Sequence, residues 1–146
     1  MPAVYEYHGL RFLYPEGWTL EEGEDSAIEG LSVAVSSPAG AFWSVTRHAS
    51  RVDPQALAAR ALAALKEEYP EADAEPARQE LAGHTVGGYD LQFFYLDLVC
   101  SAAIRVVRTP AASYVILAQA EDREYEQLAR VFDAITASLL GQGAPE

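Results

Sequence analysis

Apolar and polar residues alternate along several short segments of the chain, and a period of two predicts β-strands with one buried face. The clearest case is residues 31–37, where Leu31, Val33 and Val35 are separated by small or polar residues. Enrichment in β-branched and aromatic residues predicts the remaining strands. These cover residues 4–7, 11–14, 18–20, 42–48, 77–82, 85–95, 102–108 and 114–120.

Glycine and proline mark the predicted turns between these strands. The turns are His8-Gly9, residues 38–40, Gly83-His84 and residues 109–112. Acidic residues and two glycines predict an exposed loop over residues 21–30, and residues 71–76 are expected to form an acidic connector. The pair Gly87-Gly88 inside a strand predicts a bulge or bend.

A first helix is predicted from Asp53 to Tyr69. Aspartate can accept hydrogen bonds from the free N–H groups of a first helical turn, and Pro54 suits the first helical position. Pro70 should end the helix. Its apolar stripe is formed by Leu57, Ala61, Leu62, Leu65 and Tyr69.

A second helix is predicted from Asp122, as its capping residue, to Leu140, with Gly141 as its end. Its apolar residues recur at helical spacing, and they define one buried face. They are Tyr125, Leu128, Ala129, Phe132, Ile135, Thr136 and Leu139. We expect residues 1–141 to form one domain and residues 142–146 to form a disordered tail.

The order of these elements predicts the fold class. Strands follow one another in runs, with one helix in the middle and one at the end, rather than alternating with helices. That order argues against a parallel doubly wound sheet and favours an α+β fold with an antiparallel sheet flanked by two main helices.

Charge narrows the possible partners. The chain of 146 residues has 22 acidic and 10 basic side chains, a formal net charge of −12. Such a field repels nucleic acid and anionic membranes and favours a basic or amphipathic protein partner. The alternative is that the acidic residues serve only to keep the protein in solution. The N-terminal residues lack the pattern of a signal peptide, no apolar run is long enough to span a bilayer, and one cysteine permits no internal disulfide. A cytoplasmic protein is therefore expected.

Two motifs resemble those of the PsbP-like superfamily. Residues 12–18 read Phe-Leu-Tyr-Pro-Glu-Gly-Trp, and residues 132–139 end the last helix with Phe-Asp-Ala-Ile-Thr-Ala-Ser-Leu. The superfamily includes the photosystem extrinsic subunit, a Ran-binding nuclear import factor, and bacterial chaperones of type VI secretion effectors. The resemblance implies an α/β/α sandwich and a role in binding or assembly rather than catalysis.

The chain has no motif for phosphate binding, nucleophilic catalysis or metal binding, and we expect no cofactor and no metal. The histidines are scattered, without the spacing of a zinc site. Cys100 lies in an apolar stretch, which makes the thiol unreactive. Asp90 and Asp97 should point to opposite faces of a strand, so they form a poor acid–base pair.

Arg105 interrupts an otherwise apolar strand. An arginine there either faces solvent on an open sheet face or pairs with a buried carboxylate such as Asp90. On an open face, Arg105 would line a polar and aromatic binding groove with Trp43, Gln92 and Gln119. Arg105→Ala would then abolish binding and leave the thermal midpoint nearly unchanged, whereas a large loss of stability would indicate a structural pair.

The sequence favours a non-enzymatic protein-binding, chaperone or adaptor module that holds a protein segment on a sheet face or in a groove between sheet and helix. A homodimer through an exposed strand edge is also compatible with the sequence. The aromatic residues of the first third, from Tyr5 to Trp43, include candidates for an exposed patch. The alternative is a small-ligand-binding protein or enzyme with a pocket near Arg105, His48, Asp97 and Cys100.

Overall fold

A computed structural model describes residues 2–7, 9–25 and 30–141 of the chain. The predicted turn residue His8 and the predicted tail of residues 142–146 lie outside this part. The described strands are β1 (Pro2–Tyr7), β2 (Leu10–Pro15), β3 (Thr19–Asp25), β4 (Gly30–Ser36), β5 (Phe42–His48), β6 (Asp73–Leu81), β7 (His84–Tyr95), β8 (Leu98–Arg108) and β9 (Ser113–Glu121). The helices are α1 (Pro54–Glu68) and α2 (Asp122–Gly141).

The main sheet has seven strands in the order β3-β4-β5-β9-β8-β7-β6, and all its neighbouring strands are antiparallel. Strands β1 and β2 form a separate antiparallel hairpin. Helix α1 connects β5, near the centre of the sheet, to β6 at its far edge. The predicted α+β fold with an antiparallel sheet and two helices is confirmed.

Side chains pack on both faces of the sheet, which explains why β8 is almost continuously apolar. On one side, called the α2 face, α2 and the β1–β2 hairpin cover Trp43 and Ile116. On the other side, called the α1 face, helix α1 covers Leu91 and Ile104. The rings of Phe12 and Trp43, 4.9 Å apart, join the hairpin to the sheet.

Helix α1 begins as its sequence predicts. The carboxylate of Asp53 accepts a hydrogen bond from the backbone N–H of Gln55 at 3.1 Å, and Pro54 occupies the first helical position. The helix ends at Glu68, with Tyr69 as its C-terminal cap. Leu57 is fully buried against the sheet, and the rest of the predicted stripe is packed around it.

Helix α2 is capped by a different residue from the one predicted. One carboxylate oxygen of Glu121 accepts from the backbone N–H groups of Arg123 at 3.0 Å and Glu124 at 3.2 Å. The Asp122 carboxylate instead accepts from the hydroxyl of Ser101 at 2.9 Å. The prediction of Asp122 as the cap was wrong because its side chain points to the sheet. The side chain of the preceding residue, Glu121, accepts the hydrogen bonds at the start of the helix instead.

Two predicted connecting segments are strands in part. Strand β3 continues to Asp25, so the first half of the predicted loop over residues 21–30 is extended; residues 26–29 lie outside the described part. Strand β6 already begins at Asp73, inside the predicted connector, and the next turn is Ala82-Gly83 rather than Gly83-His84. Pairing with β4 and with β7 holds both acidic segments in the sheet, because tertiary pairing overrides weak local β-propensity.

The glycine pair in β7 forms no bulge. Gly87 pairs with Val106 and Gly88 with Arg105, so the register runs without interruption. Gly88 has φ +141°, and a Cβ atom there would lie 1.8 Å from the carbonyl oxygen of Ile104. This glycine therefore allows close approach of two backbones.

Candidate binding cleft

An open cleft of about 680 Å³ lies on the α2 face of the sheet, between helix α2 and strands β6, β7 and β8. Its volume is in the range of sites that hold small ligands or peptide side chains. The residues that line it are Asp73, Ala74, Glu75, Gln79, Asp90, Leu91, Gln92, Ser101, Ala102, Arg105, Tyr125, Ala129 and Asp133.

The cleft is acidic. Four carboxylates line it: Asp73 and Glu75 from β6, Asp90 from β7, and Asp133 from α2. The strand register explains why the carboxylates of β6 and β7 are grouped. Asp73 pairs with Gln92 and Glu75 pairs with Asp90, so the side chains of these two pairs lie on the same face of the sheet. Arg105 is the one cation among the described lining residues. The cleft therefore has a surplus of negative charge.

Arg105 is held by hydrogen bonds from every nitrogen of its guanidinium group. Its Nε donates to Oε1 of Gln79 at 2.5 Å, and Nη2 donates to the Asp90 carboxylate at 2.7 Å. Nη1 donates to the carbonyls of Tyr89 at 3.2 Å and Ile104 at 3.0 Å. Such a fixed arginine neutralises one carboxylate and is occupied before any ligand arrives.

Gln79 connects this arginine to helix α2. Its amide nitrogen donates to a carboxylate oxygen of Asp133 at 3.3 Å, while its amide oxygen accepts from Arg105. Within the part of the chain that the structure describes, neither Asp73 nor Glu75 makes a hydrogen bond or an ion pair, and both are exposed. These two carboxylates are consequently the ones best placed to receive a cation from outside.

Tyr125 forms the helix-side wall of the cleft, with its ring 5.5 Å from that of Phe132. Burial is the largest influence on its hydroxyl and raises the pKa, while the Arg105 charge lowers it and the Asp90 and Asp133 charges raise it. The phenol is thus neutral near neutral pH and offers a hydrogen-bond donor beside the carboxylates.

The end of the cleft near the start of α2 is polar. The amide of Gln92 donates to Asp122 at 3.5 Å, and the Ser101 hydroxyl donates to the same carboxylate oxygen at 2.9 Å. Gln92 and Ser101 are partners across β7 and β8. This arrangement fixes the position of α2 relative to the strands that form the floor.

The structure brings together only part of the predicted groove. Arg105 and Gln92 line the cleft, and Arg105 pairs with Asp90, the partner named in one of the two alternatives, although this carboxylate is exposed rather than buried. Trp43 is wrong as a lining residue of this cleft because its side chain is fully buried, with Nε1 donating to Thr136 at 2.9 Å. Gln119 pairs with Ala102 and lies on the α1 face, so it is also wrong.

The alternative pocket near Arg105, His48, Asp97 and Cys100 is not assembled. His48 pairs with Ser113 and Cys100 with Glu121, the two ends of β9. Eight residues of strand separate those ends by roughly 26 Å. Cys100 is buried on the α1 face, away from Arg105, and burial raises the pKa of its thiol.

Asp97 lies in the two-residue turn between β7 and β8, and five of the six exposed large apolar side chains among the described residues lie in or beside this turn. This turn and its flanking residues, called here the hairpin tip, expose Phe94, Tyr95, Leu96, Leu98 and Val99. The aromatic residues Tyr5, Phe12 and Trp43, which were candidates for an exposed patch, lie in the core. The exposed aromatic rings of the described part are instead Phe94 and Tyr95.

Sequence reasoning missed the acidic wall formed by Asp73 and Glu75, since residues 71–76 were assigned to a connector. The available signal was the spacing of Asp73, Glu75 and Gln79, which places polar side chains on one face of an extended segment.

In the described ranges, 2–7, 9–25 and 30–141, no three His, Cys, Asp or Glu side chains are grouped for a metal ion. Neither described helix is both long and apolar enough to cross a bilayer.

Comparison with solved structures defines the fold. PsbP of the cyanobacterium Synechocystis (CyanoP) aligns with a TM-score of 0.61 at 12% identity, covering 94% of this chain and 90% of that one. PA94, a Pseudomonas aeruginosa protein of unknown function, aligns with a TM-score of 0.53 at 15% identity, covering 99% and 97%. The chain therefore has a PsbP-like fold. No protein-family model matches the sequence, and no curated protein matches it either.

Proposed function

We propose that this protein is a non-enzymatic binding or adaptor module that holds a basic segment of a partner protein in the acidic cleft. The observation that carries the proposal is the surplus of carboxylates around a cleft whose one described cation, Arg105, is already paired with Asp90. A lysine or arginine side chain entering there would find the Asp73 and Glu75 carboxylates exposed and accessible.

The shape of the cleft supports a segment rather than an enclosed small molecule. The cleft is open along the edge strand β6, so a chain can lie across it without the sheet having to move. The Tyr125 ring and the methyl group of Ala129 supply apolar contact on the helix side. A segment with basic residues on one side and apolar residues on the other fits both walls, and the net charge of −12 steers it toward the protein.

The test uses a labelled synthetic amphipathic peptide that carries arginines on one face, compared with the same peptide carrying glutamates. Fluorescence anisotropy should show binding of the arginine peptide alone, and raising the ionic strength should weaken it. The double substitution Asp73→Asn with Glu75→Gln should weaken binding about tenfold or more, because it removes two charges that contact the peptide.

A matched control variant distinguishes binding in the cleft from a general effect of net charge on affinity. Glu21→Gln with Glu67→Gln removes the same number of charges from exposed positions on β3 and α1, outside the cleft. Affinity in this control should change by less than about threefold, since only long-range attraction is reduced. Equal losses in the two double variants would contradict the cleft proposal and leave only non-specific attraction between opposite charges.

A further inference from the structure

The hairpin tip is a second apolar surface, separate from the acidic cleft. Its five large side chains expose large fractions of their surface: Phe94 72%, Tyr95 52%, Leu96 77%, Leu98 51% and Val99 38%. Soluble proteins rarely leave such side chains contiguous and exposed unless a partner covers them. The ring of Tyr95 packs edge-on against that of Tyr69, with centroids 6.2 Å apart, yet all five side chains remain at least 38% exposed in the described part of the chain.

The register of the strands gives the tip two apolar faces. Phe94 pairs with Val99 and Tyr95 pairs with Leu98, and adjacent residues of a strand point to opposite sides. Leu96 occupies the apex between them. A wedge that is apolar on both faces and at its end fits a groove with two walls better than it fits a flat surface.

A tight turn closes the tip, and a pair of stacked rings lies at its base. Leu96 has φ +49° and Asp97 has φ +66°, so a two-residue turn joins β7 and β8 in the left-handed region. Asparagine or glycine would adopt this conformation more readily than leucine. At the base, the ring of Phe93 is stacked 4.0 Å from that of Tyr69, the C-terminal cap of α1. A two-residue turn has fewer conformations to lose than a long loop when it inserts into a partner.

Charge around the tip selects the occupant. Asp97 is exposed at the apex, and the exposed residue Glu68 lies next to Tyr69 at the base. Glu121 and Asp122 lie close enough to Cys100, two residues from Leu98, to raise the pKa of its thiol. With a net charge of −12, both a second copy of the chain and an anionic lipid surface are repelled.

We propose that the hairpin tip docks as a wedge into an apolar groove, rimmed by lysine or arginine, on a partner protein. Leu96 and Phe94 would provide the apolar anchors, and the carboxylates at the apex and the base would face the basic rim. This site goes beyond the cleft proposal, because the tip needs a concave partner surface and the cleft needs an extended basic segment.

The test places the photo-crosslinking residue p-benzoylphenylalanine at position 96 in the full chain, and at the exposed helical position Ala63 as a control, in native lysate. The protein captured from position 96 alone is then purified, and its affinity for the wild-type chain is measured. Leu96→Asp and Phe94→Ser should each lower this affinity at least tenfold, and added salt should lower it further. Asp73→Asn with Glu75→Gln should leave the crosslink unchanged, so failure of the cleft and failure of the tip are distinguishable.

Four outcomes would overturn the proposal. They are an adduct with a second copy of the chain, crosslinking no stronger at position 96 than at position 63, an affinity that the tip substitutions do not change, and tip-dependent binding to phosphatidylcholine or phosphatidylglycerol vesicles. Leu96→Gly is the second variant, because glycine removes the anchor and suits the positive φ angle. Unfolding curves of the tip variants should show no loss of stability relative to the wild type, since the altered side chains are exposed.

Discussion

The guanidinium group of Arg105 donates to the carboxylate of Asp90 at 2.7 Å, although the arginine side chain is only 14% exposed and the aspartate is 58% exposed. The pair therefore spans the boundary between the core and the cleft. Arg105 also donates to Gln79 and to two backbone carbonyls. Its role is therefore to stabilise the cleft wall rather than to bind a ligand.

Replacing Arg105 should thus lower stability more than replacing its partner. Arg105→Met leaves the Gln79 amide oxygen and two carbonyls without their donors, and should reduce the free energy of unfolding by about 1–3 kcal/mol. Asp90→Asn keeps an acceptor at an exposed position and should cost about 0–1 kcal/mol. Urea denaturation of both variants measures the difference. Equal effects, or an unchanged midpoint for Arg105→Met, would restore the interpretation of Arg105 as a ligand-binding residue.

The hydrogen bond between Trp43 and Thr136 should be essential to the core. Both residues are buried, and the indole N–H donates to the threonine hydroxyl at 2.9 Å. Thr136→Val removes the acceptor without changing the side-chain shape, leaves a buried donor unpaired, and should cost about 1–3 kcal/mol. Thr136→Ser keeps the hydroxyl and is the control. A valine variant as stable as the wild type would show that the bond contributes little.

The two adjacent glycines of β7 should respond very differently to alanine. Gly88→Ala would place a Cβ atom 1.8 Å from the Ile104 carbonyl oxygen, at φ +141°, so we expect misfolding or a loss of more than about 3 kcal/mol. At Gly87 the nearest atom to an added Cβ is the Gln55 side-chain nitrogen at 3.9 Å, and alanine should be tolerated. Thermal unfolding of the two variants checks this, and similar midpoints would contradict the close backbone approach.

Stability should fall as the pH becomes alkaline. Burial raises the pKa of the Cys100 thiol above its ordinary value of 9.0, and it is also the largest cause that raises the pKa of Tyr69 and Tyr125 above 10.0. The folded state therefore retains these protons at a pH where the unfolded state releases them. Their stabilising contribution is complete below pH 9 and is lost as the pH rises through the raised pKa values.

A series of urea midpoints from neutral to alkaline pH measures this loss. The midpoint should decline from near pH 9 upward, and Cys100→Ala should flatten the first part of the decline, where the unfolded thiol titrates. A midpoint that rises above pH 9 would show the opposite sign of the pKa shifts.

Much of the fold could be predicted because its signals are local. Asp53-Pro54 begins α1 with groups that satisfy a helical first turn, and residues 31–37 alternate cleanly. Residues 21–25 and 73–76 were not predicted as strands because acidic residues have low β-propensity. These segments are strands only because they pair with β4 and β7. The cap of α2 could not be predicted for a similar reason. The hydrogen bond from Ser101 to Asp122, which leaves Glu121 as the cap, depends on the position of β8.

The candidate site was less predictable than the fold. Arg105 was noticeable as a charge within an apolar strand, and Asp90 was a reasonable partner for it. The face on which Gln119 lies relative to Gln92 depends on the register of the three strands β7, β8 and β9, and a register is set by the whole sheet. Asp133 reaches the cleft only because α2 packs beside β6, a contact that no local pattern encodes.

Binding of a basic segment in the cleft between α2 and strands β6 to β8 can be observed in amide ¹⁵N–¹H spectra recorded during titration with the arginine peptide. We expect shifts concentrated at Asp73, Glu75, Gln92 and Tyr125, which line the cleft. Leu117, on the α1 face, should change little. Shifts spread evenly over the acidic surface, or none at these cleft residues at saturation, would contradict binding in the cleft.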